Sequence, residues 1–188
     1  MNHVSASDHR DTVADIVRAL TLYCLAEFQS GHATTIRVTA EGSSFVVADN
    51  GRGHSIERTV EGVPYLKLIY THFEYPFEPG QSAPVQLQGI GMSFINTLCS
   101  ELTVNVRKRD ATLQMSFQNG RSSGSELMSV TSEETGTTIA GTVGSELQGS
   151  GVDCQELLHW LLALLAASPS LKLFFNGQAL HALPRTDA

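Results

Sequence analysis

The chain is poor in positive charge. Its 188 residues include only 12 Lys and Arg against 19 Asp and Glu, a formal net charge of −7. A stand-alone nucleic-acid binder normally presents a basic face that releases counterions from phosphate, so direct nucleic-acid binding is not expected. The one basic cluster, Arg107, Lys108 and Arg109, is short and abuts Asp110. It reads as the solvated end of a strand beside a turn. Cysteine is scarce as well. Cys24, Cys99 and Cys154 are odd in number, widely spaced and outside any CxxC arrangement, which gives no basis for a disulfide framework or a zinc site. All three read as small core residues in a reducing compartment. Long apolar runs are missing too: Leu161 to Ala167 is too short to span a bilayer, and the N-terminus lacks the basic and apolar regions of a signal peptide. The expected location is cytoplasmic, with no membrane partner. Finally, six prolines against 16 glycines, with no low-complexity tract, leave no linker at which to divide the chain. A single domain over 1–188 follows, with the polar stretch Met1 to Arg10 loose at its start.

With 41% hydrophobic and 16% charged residues, the chain can bury a core without staples. From Asp11 to Gln29, Val13, Ile16, Val17, Leu20, Cys24 and Phe28 recur at three- and four-residue steps along one side of a helix that Gly31 ends. Thr35 to Ala40 and Ser44 to Ala48, separated by Glu41-Gly42-Ser43, form a β-hairpin pattern. The segment His54 to Gln88 is loose, with a short helix near Val63 to Tyr70; a connection this long inside a compact domain suits a lid. Gly89-Ile90-Gly91 opens a helix over Met92 to Cys99. Strands are expected at Leu102 to Lys108, Thr112 to Gln118 and Thr137 to Thr142, with polar turns between them. Cys154 to Ala167 is helical and apolar nearly all round, so it is either sandwiched or an interface. Leu171 to Phe175 is a last strand, turning at Asn176-Gly177. These elements predict an α+β fold, a two-layer sandwich of a mixed, mostly antiparallel sheet with helices on one face.

Three polar motifs could carry chemistry. Asp49-Asn50-Gly51-Arg52-Gly53 follows a buried strand; glycines let the backbone approach a flat ligand, and a carboxylate there can accept a hydrogen bond from an amino group. Taken alone, Asn-Gly after a strand is an ordinary turn. Gln88-Gly89-Ile90-Gly91-Met92-Ser93 precedes a helix whose N–H groups suit phosphate. It has neither the third glycine of a GxGxxG fingerprint nor the lysine of a Walker loop. Thr135-Gly136-Thr137-Thr138 offers hydroxyls at a strand start, where such residues also simply fit a strand edge.

Together with Ser30-Gly31-His32-Ala33, Ile36-Arg37-Val38 and Asn96-Thr97-Leu98, these motifs resemble, in order and spacing, the ATPase domain of the gyrase B and topoisomerase IV type in the GHKL superfamily. The likeness runs from about Val13 to Leu180. It implies that Asp49 binds the adenine amino group of ATP or ADP, that Gly51 and Gly53 shape the base pocket, and that Thr137 supports Asp49 through a water or hydroxyl contact. Gly89 and Gly91 would wrap the phosphates, residues 54–88 would form the lid, and Glu27 and Arg52 would pair beside the base.

The same resemblance exposes departures. The family's first helix carries a glutamate that activates water and, four residues on, an asparagine that holds Mg²⁺; those positions are Ala19 and Tyr23 here. Alanine cannot take a proton and a tyrosine hydroxyl is a poor magnesium ligand, so no catalytic or metal residue is assigned and Mg²⁺ is not expected. Gln88 stands for a histidine, Val85-Gln86 for glycines, and His54-Ser55 for an apolar residue and a proline. Asp15, one turn before Ala19 on the same face, and His72, Glu74 and Glu78 in the loose segment are the candidates for a replacement, each also explained as a solvated polar residue. The expected function is an adenine-nucleotide-binding module without hydrolysis. A working topoisomerase-type ATPase is the alternative, opposed by the missing base and by the absence of a second domain with its phosphate-sensing lysine. A second alternative is a structural protein whose helix Leu157 to Ala167 binds a second copy or another protein.

Overall fold

The computed structural model describes residues 11–72, 91–147 and 151–181. Helix α1 (Thr12–Gln29) is capped by Asp11, whose carboxylate accepts the Ala14 N–H. Strands β1 (Thr35–Glu41) and β2 (Ser44–Asp49) form a hairpin. A second small hairpin, β3 (Thr59–Val60) and β4 (Val63–Pro64), leads into α2 (Tyr65–Thr71). Then come α3 (Met92–Leu98), β5 (Cys99–Arg107), β6 (Ala111–Gln118), β7 (Arg121–Ser129) and β8 (Gly136–Val143). Helix α4 (Cys154–Ala167) and the strands β9 (Lys172–Phe175) and β10 (Gln178–Ala179) close the described chain.

Eight strands make one sheet in the order β10-β9-β1-β2-β8-β5-β6-β7. Every neighbouring pair is antiparallel except β1 and β9. The register aligns Phe175, Val38, Val47, Ile139, Val104 and Met115 in a single row across six strands, and each is buried. At roughly 1.5–3 kcal/mol per fully buried aliphatic or aromatic side chain, rows of this kind fix which face of the sheet turns inward. The adjacent row, Arg37, Ala48, Thr138, Asn105, Gln114 and Glu126, lies on the opposite face and is polar apart from Ala48.

The helices cover the apolar face. Val13, Ile16, Val17 and Leu20 of α1 join the same core as Leu157, Leu161 and Leu165 of α4, and Arg18 links the two helices through Glu156. The α4 helix is therefore packed on the core along one side, with Leu158, Trp160 and Leu164 half-buried around it. The fold is the α+β sandwich expected.

Two sequence readings need correction. The segment after β6 is not merely a polar turn: it holds β7, a nine-residue edge strand exposed at every position. Its pattern, Arg-Ser-Ser-Gly-Ser-Glu-Leu-Met-Ser, carries no alternation because no face of it is buried. Helix α3 ends at Leu98, and Cys99 already belongs to β5. Within the lid-like stretch 54–88, the described part is anchored: Tyr65, Leu66, Leu68 and Tyr70 of α2 are buried. Residues 73–88 lie outside the described residues, as do Met1 to Arg10.

Candidate functional site

Asp49 ends β2 on the inward face, where the row of apolar side chains gives way to a carboxylate that is 5% exposed. A buried carboxylate must be answered by donors. Its Oδ1 accepts the Gly51 N–H at 2.7 Å, and the Cys24 thiol of α1 and the backbone of Thr137 in β8 act on it to lower its pKa. Burial nevertheless holds its pKa above the ordinary value, the Gly51 amide and the Cys24 thiol opposing that rise and the charge of Glu27 adding to it.

The glycine loop that follows is shaped by close approach. A Cβ on Gly51 would stand 2.8 Å from Asp49 Oδ1 and 3.0 Å from Glu27 Oε2. Gly53, at φ +69°, faces Val106 and the Arg107 carbonyl. Gly136, at φ +138°, lies against the backbone of Asp49 so closely that any Cβ would overlap the Asp49 carbonyl. The strand crossing of β2 and β8 therefore requires glycine at 136.

Side chains pin the loop from three directions. Asn50 Oδ1 accepts the N–H groups of Thr34 and Thr35 at 2.8 and 2.9 Å. The Thr135 hydroxyl donates to the Gly51 carbonyl at 2.7 Å, so this threonine is spent on the loop. Lys108 Nζ donates to the carbonyls of Arg52 and Gly53, both at 2.9 Å. The basic cluster is accordingly more than a solvated strand end: Lys108 braces the loop and Arg107 pairs with Glu134. Arg52 grips Glu27 with two side-chain nitrogens, at 2.7 and 3.2 Å, and its own N–H adds a third contact. Burial pushes the Glu27 carboxyl up, but the Arg52 guanidinium and amide outweigh it and leave the pKa below the usual value.

The face of α1 one turn earlier is different in kind. Ala19 is buried and presents only a methyl group. Tyr23, also buried, stacks on His54 with ring centroids 5.2 Å apart, and its hydroxyl lies 3.1 and 3.0 Å from the two ring nitrogens. Burial, with the Lys108 charge behind it, lowers the His54 pKa to about 4. Asp15 is drawn into an ion pair with Arg18 on its own helix. His72 is exposed at the end of α2 and contacts Thr71. Gly91 caps α3 and is exposed, while Ser93 is buried. Gln88, Gly89, Val85, Gln86, Glu74 and Glu78 fall outside the described residues.

Asp49, Gly51, Gly53, Thr137, Glu27 and Arg52 thus converge at one end of β2. Sequence reasoning did not assign Cys24, Lys108, Asn50 or His54 to this cluster. Cys24 and Asp49 share the inward apolar faces of their elements, and that is the only signal that could have joined them.

No family model matches the chain. It is similar to the B subunit of DNA topoisomerase 4 from Pseudomonas aeruginosa, 30% identical over 177 residues that are 81% of this chain and 25% of the relative. The corresponding topoisomerase 4 protein of Escherichia coli is 31% identical over 105 residues, 50% of the chain and 16% of the relative. The B subunit of DNA gyrase from Campylobacter jejuni is 31% identical over 119 residues, 60% of the chain and 15% of the relative. The chain spans a quarter or less of the length of these proteins. Among solved structures, a topoisomerase IV ATP-binding domain from Francisella tularensis has a TM-score of 0.70 at 20% identity, over 88% of this chain and 83% of that one. The 43K ATPase domain of Thermus thermophilus gyrase B has a TM-score of 0.70 at 23% identity, over 87% of this chain and 43% of that one.

Proposed function

This chain is a homologue of the B subunits of DNA gyrase and topoisomerase IV, on the GHKL fold of their ATPase domains, and from that premise we propose that it binds an adenine nucleotide without hydrolysing it. The observation that carries the reading is the state of Asp49. An ionised carboxylate offers about four acceptor sites, and the Gly51 N–H takes one of them at 2.7 Å. The remaining acceptor capacity suits an amino group such as that of adenine. The glycine loop suits a flat base, since Gly51 has no room for a Cβ and the loop is braced by Asn50, Thr135 and Lys108. Gly53 completes that wall. Gly89 and Gly91 supply the phosphate contacts in this reading, and Glu27 and Arg52 the charged flank.

The reactive end supports binding without turnover. The Ala19 methyl cannot take a proton from water, and the Tyr23 hydroxyl is engaged with His54. Neither position offers the amide or carboxylate oxygen that suits Mg²⁺. Asp15 is no substitute, because it is paired with Arg18.

Isothermal calorimetry with ATP and with ADP tests the binding half. Wild type is expected to bind one or both, and Asp49→Ala to weaken the complex by roughly thirtyfold or more, the loss of about 2 kcal/mol for a charged acceptor. No heat of binding at ~1 mM nucleotide would overturn the proposal and favour a structural interaction protein that has lost its ligand.

A further inference from the structure

Strand β7 ends the sheet with a nine-residue edge that is exposed at every position. Long edges are a ready template for another strand, and proteins blunt them with charged side chains, proline, bulges or a covering element. Arg121 to Ser129 has no proline, and its only charges are Arg121 and Glu126. Leu127, Met128 and Val130, at one end of the strand, are among the few large apolar side chains that the described surface exposes, Leu127 at 64%.

The charges on this edge are placed for self-pairing. Arg121 and Glu126 have no side-chain partner among the described residues. In a regular strand, residues five apart point to opposite faces. Here the register with β6 shifts between Ser116 and Phe117, so Arg121 lies opposite Gln118, Gly124 opposite Ser116 and Glu126 opposite Gln114. Gln118, Ser116 and Gln114 alternate along β6 and share one face, so Arg121 and Glu126 share it too. The bulge thus turns two oppositely charged residues onto the same side of the sheet and puts them in the same hydrogen-bonding class.

We infer that β7 is an interface for a second copy of this chain, joined edge to edge in antiparallel fashion about a two-fold axis between Ser123 and Gly124. In that register Arg121 faces Glu126 of the partner subunit and Glu126 faces the partner's Arg121, giving two equivalent charge pairs. Ser122 faces the partner's Ser125. Leu127 falls opposite the partner's Gly120, which presents no side chain to block it. The contact is self-complementary, as a two-fold interface must be, and it extends the eight-stranded sheet into a continuous sheet of both copies. It is independent of the nucleotide site and survives or fails separately from it.

Sedimentation equilibrium of the full chain tests the inference. Wild type dimerises, and Arg121→Glu or Glu126→Arg alone weakens the dimer about tenfold, because each substitution enters the interface twice and converts attraction to repulsion. The double variant Arg121→Glu/Glu126→Arg restores the wild-type association, since the swap recreates both pairs. A wild type that stays monomeric up to its solubility limit overturns the inference. So does a dimer indifferent to the single substitutions, or one that the double variant fails to restore. All the altered side chains are exposed, so the monomer fold is not at stake.

Discussion

The glycine loop around Asp49 and the facing turn of α1 border the same site, yet they ask different things of the fold. On the loop side, the proposed recognition geometry and folding are one structure. Gly136 touches the Asp49 backbone, the Gly51 amide holds the carboxylate, and Lys108, Thr135 and Asn50 fasten the loop to β5, β8 and β1. Changing any of these disturbs the sheet itself. On the helix side, the two positions that the resemblance assigns to water activation and Mg²⁺ are Ala19 and Tyr23, both buried in the middle of α1, where a methyl group and a phenol stacked on His54 fill them.

Three changes would break or sharpen that contrast. The largest effect is expected from Gly136→Ala, which combines a forbidden φ with overlap against backbone that cannot swing away. It should cost about 4 kcal/mol, from strain and overpacking together, in urea denaturation. A loss under about 1 kcal/mol would show that the loop is not tied to the sheet as described.

Next comes the pH dependence introduced by His54. Unfolded, its imidazole protonates below about pH 6.5; folded, burial and the Lys108 charge keep it neutral down to about 4. Between those values the unfolded state binds the extra proton, so stability falls as pH falls. The full effect is about 3 kcal/mol at pH 4 relative to pH 7. His54→Gln should remove this slope, so that its profile diverges from that of wild type in the window, measured by denaturation at stepped pH. Parallel profiles for the two proteins would contradict the buried neutral imidazole.

The smallest effect is that of Tyr23→Phe, which removes only the hydroxyl contact with His54. About 1 kcal/mol of stability should be lost, with nucleotide affinity unchanged within about threefold. A large change in affinity would place Tyr23 inside the binding half instead of opposite it.

Much of this architecture is legible in the sequence, and the exceptions share a cause. Burial periodicity marks α1, β1, β2, β5, β6, β8 and β9, because each has one face in the core. It fails for β7, whose residues are all solvent-exposed and whose strand geometry comes from pairing with β6. The motif Asp49 to Gly53 is readable because its glycines are dictated locally. Cys24 on Asp49, Tyr23 on His54 and Lys108 over the Arg52 and Gly53 carbonyls are not, since each joins residues tens of positions apart and depends on helix placement and strand register.

The central claim is that binding and hydrolysis have come apart in this chain. Its most direct test is steady-state phosphate release by wild type, with Mg²⁺ present and ATP at a concentration shown by calorimetry to saturate the site. Release no faster than that of Asp49→Ala is the predicted result. Mg²⁺-dependent turnover that Asp49→Ala abolishes would contradict the account and restore the working ATPase.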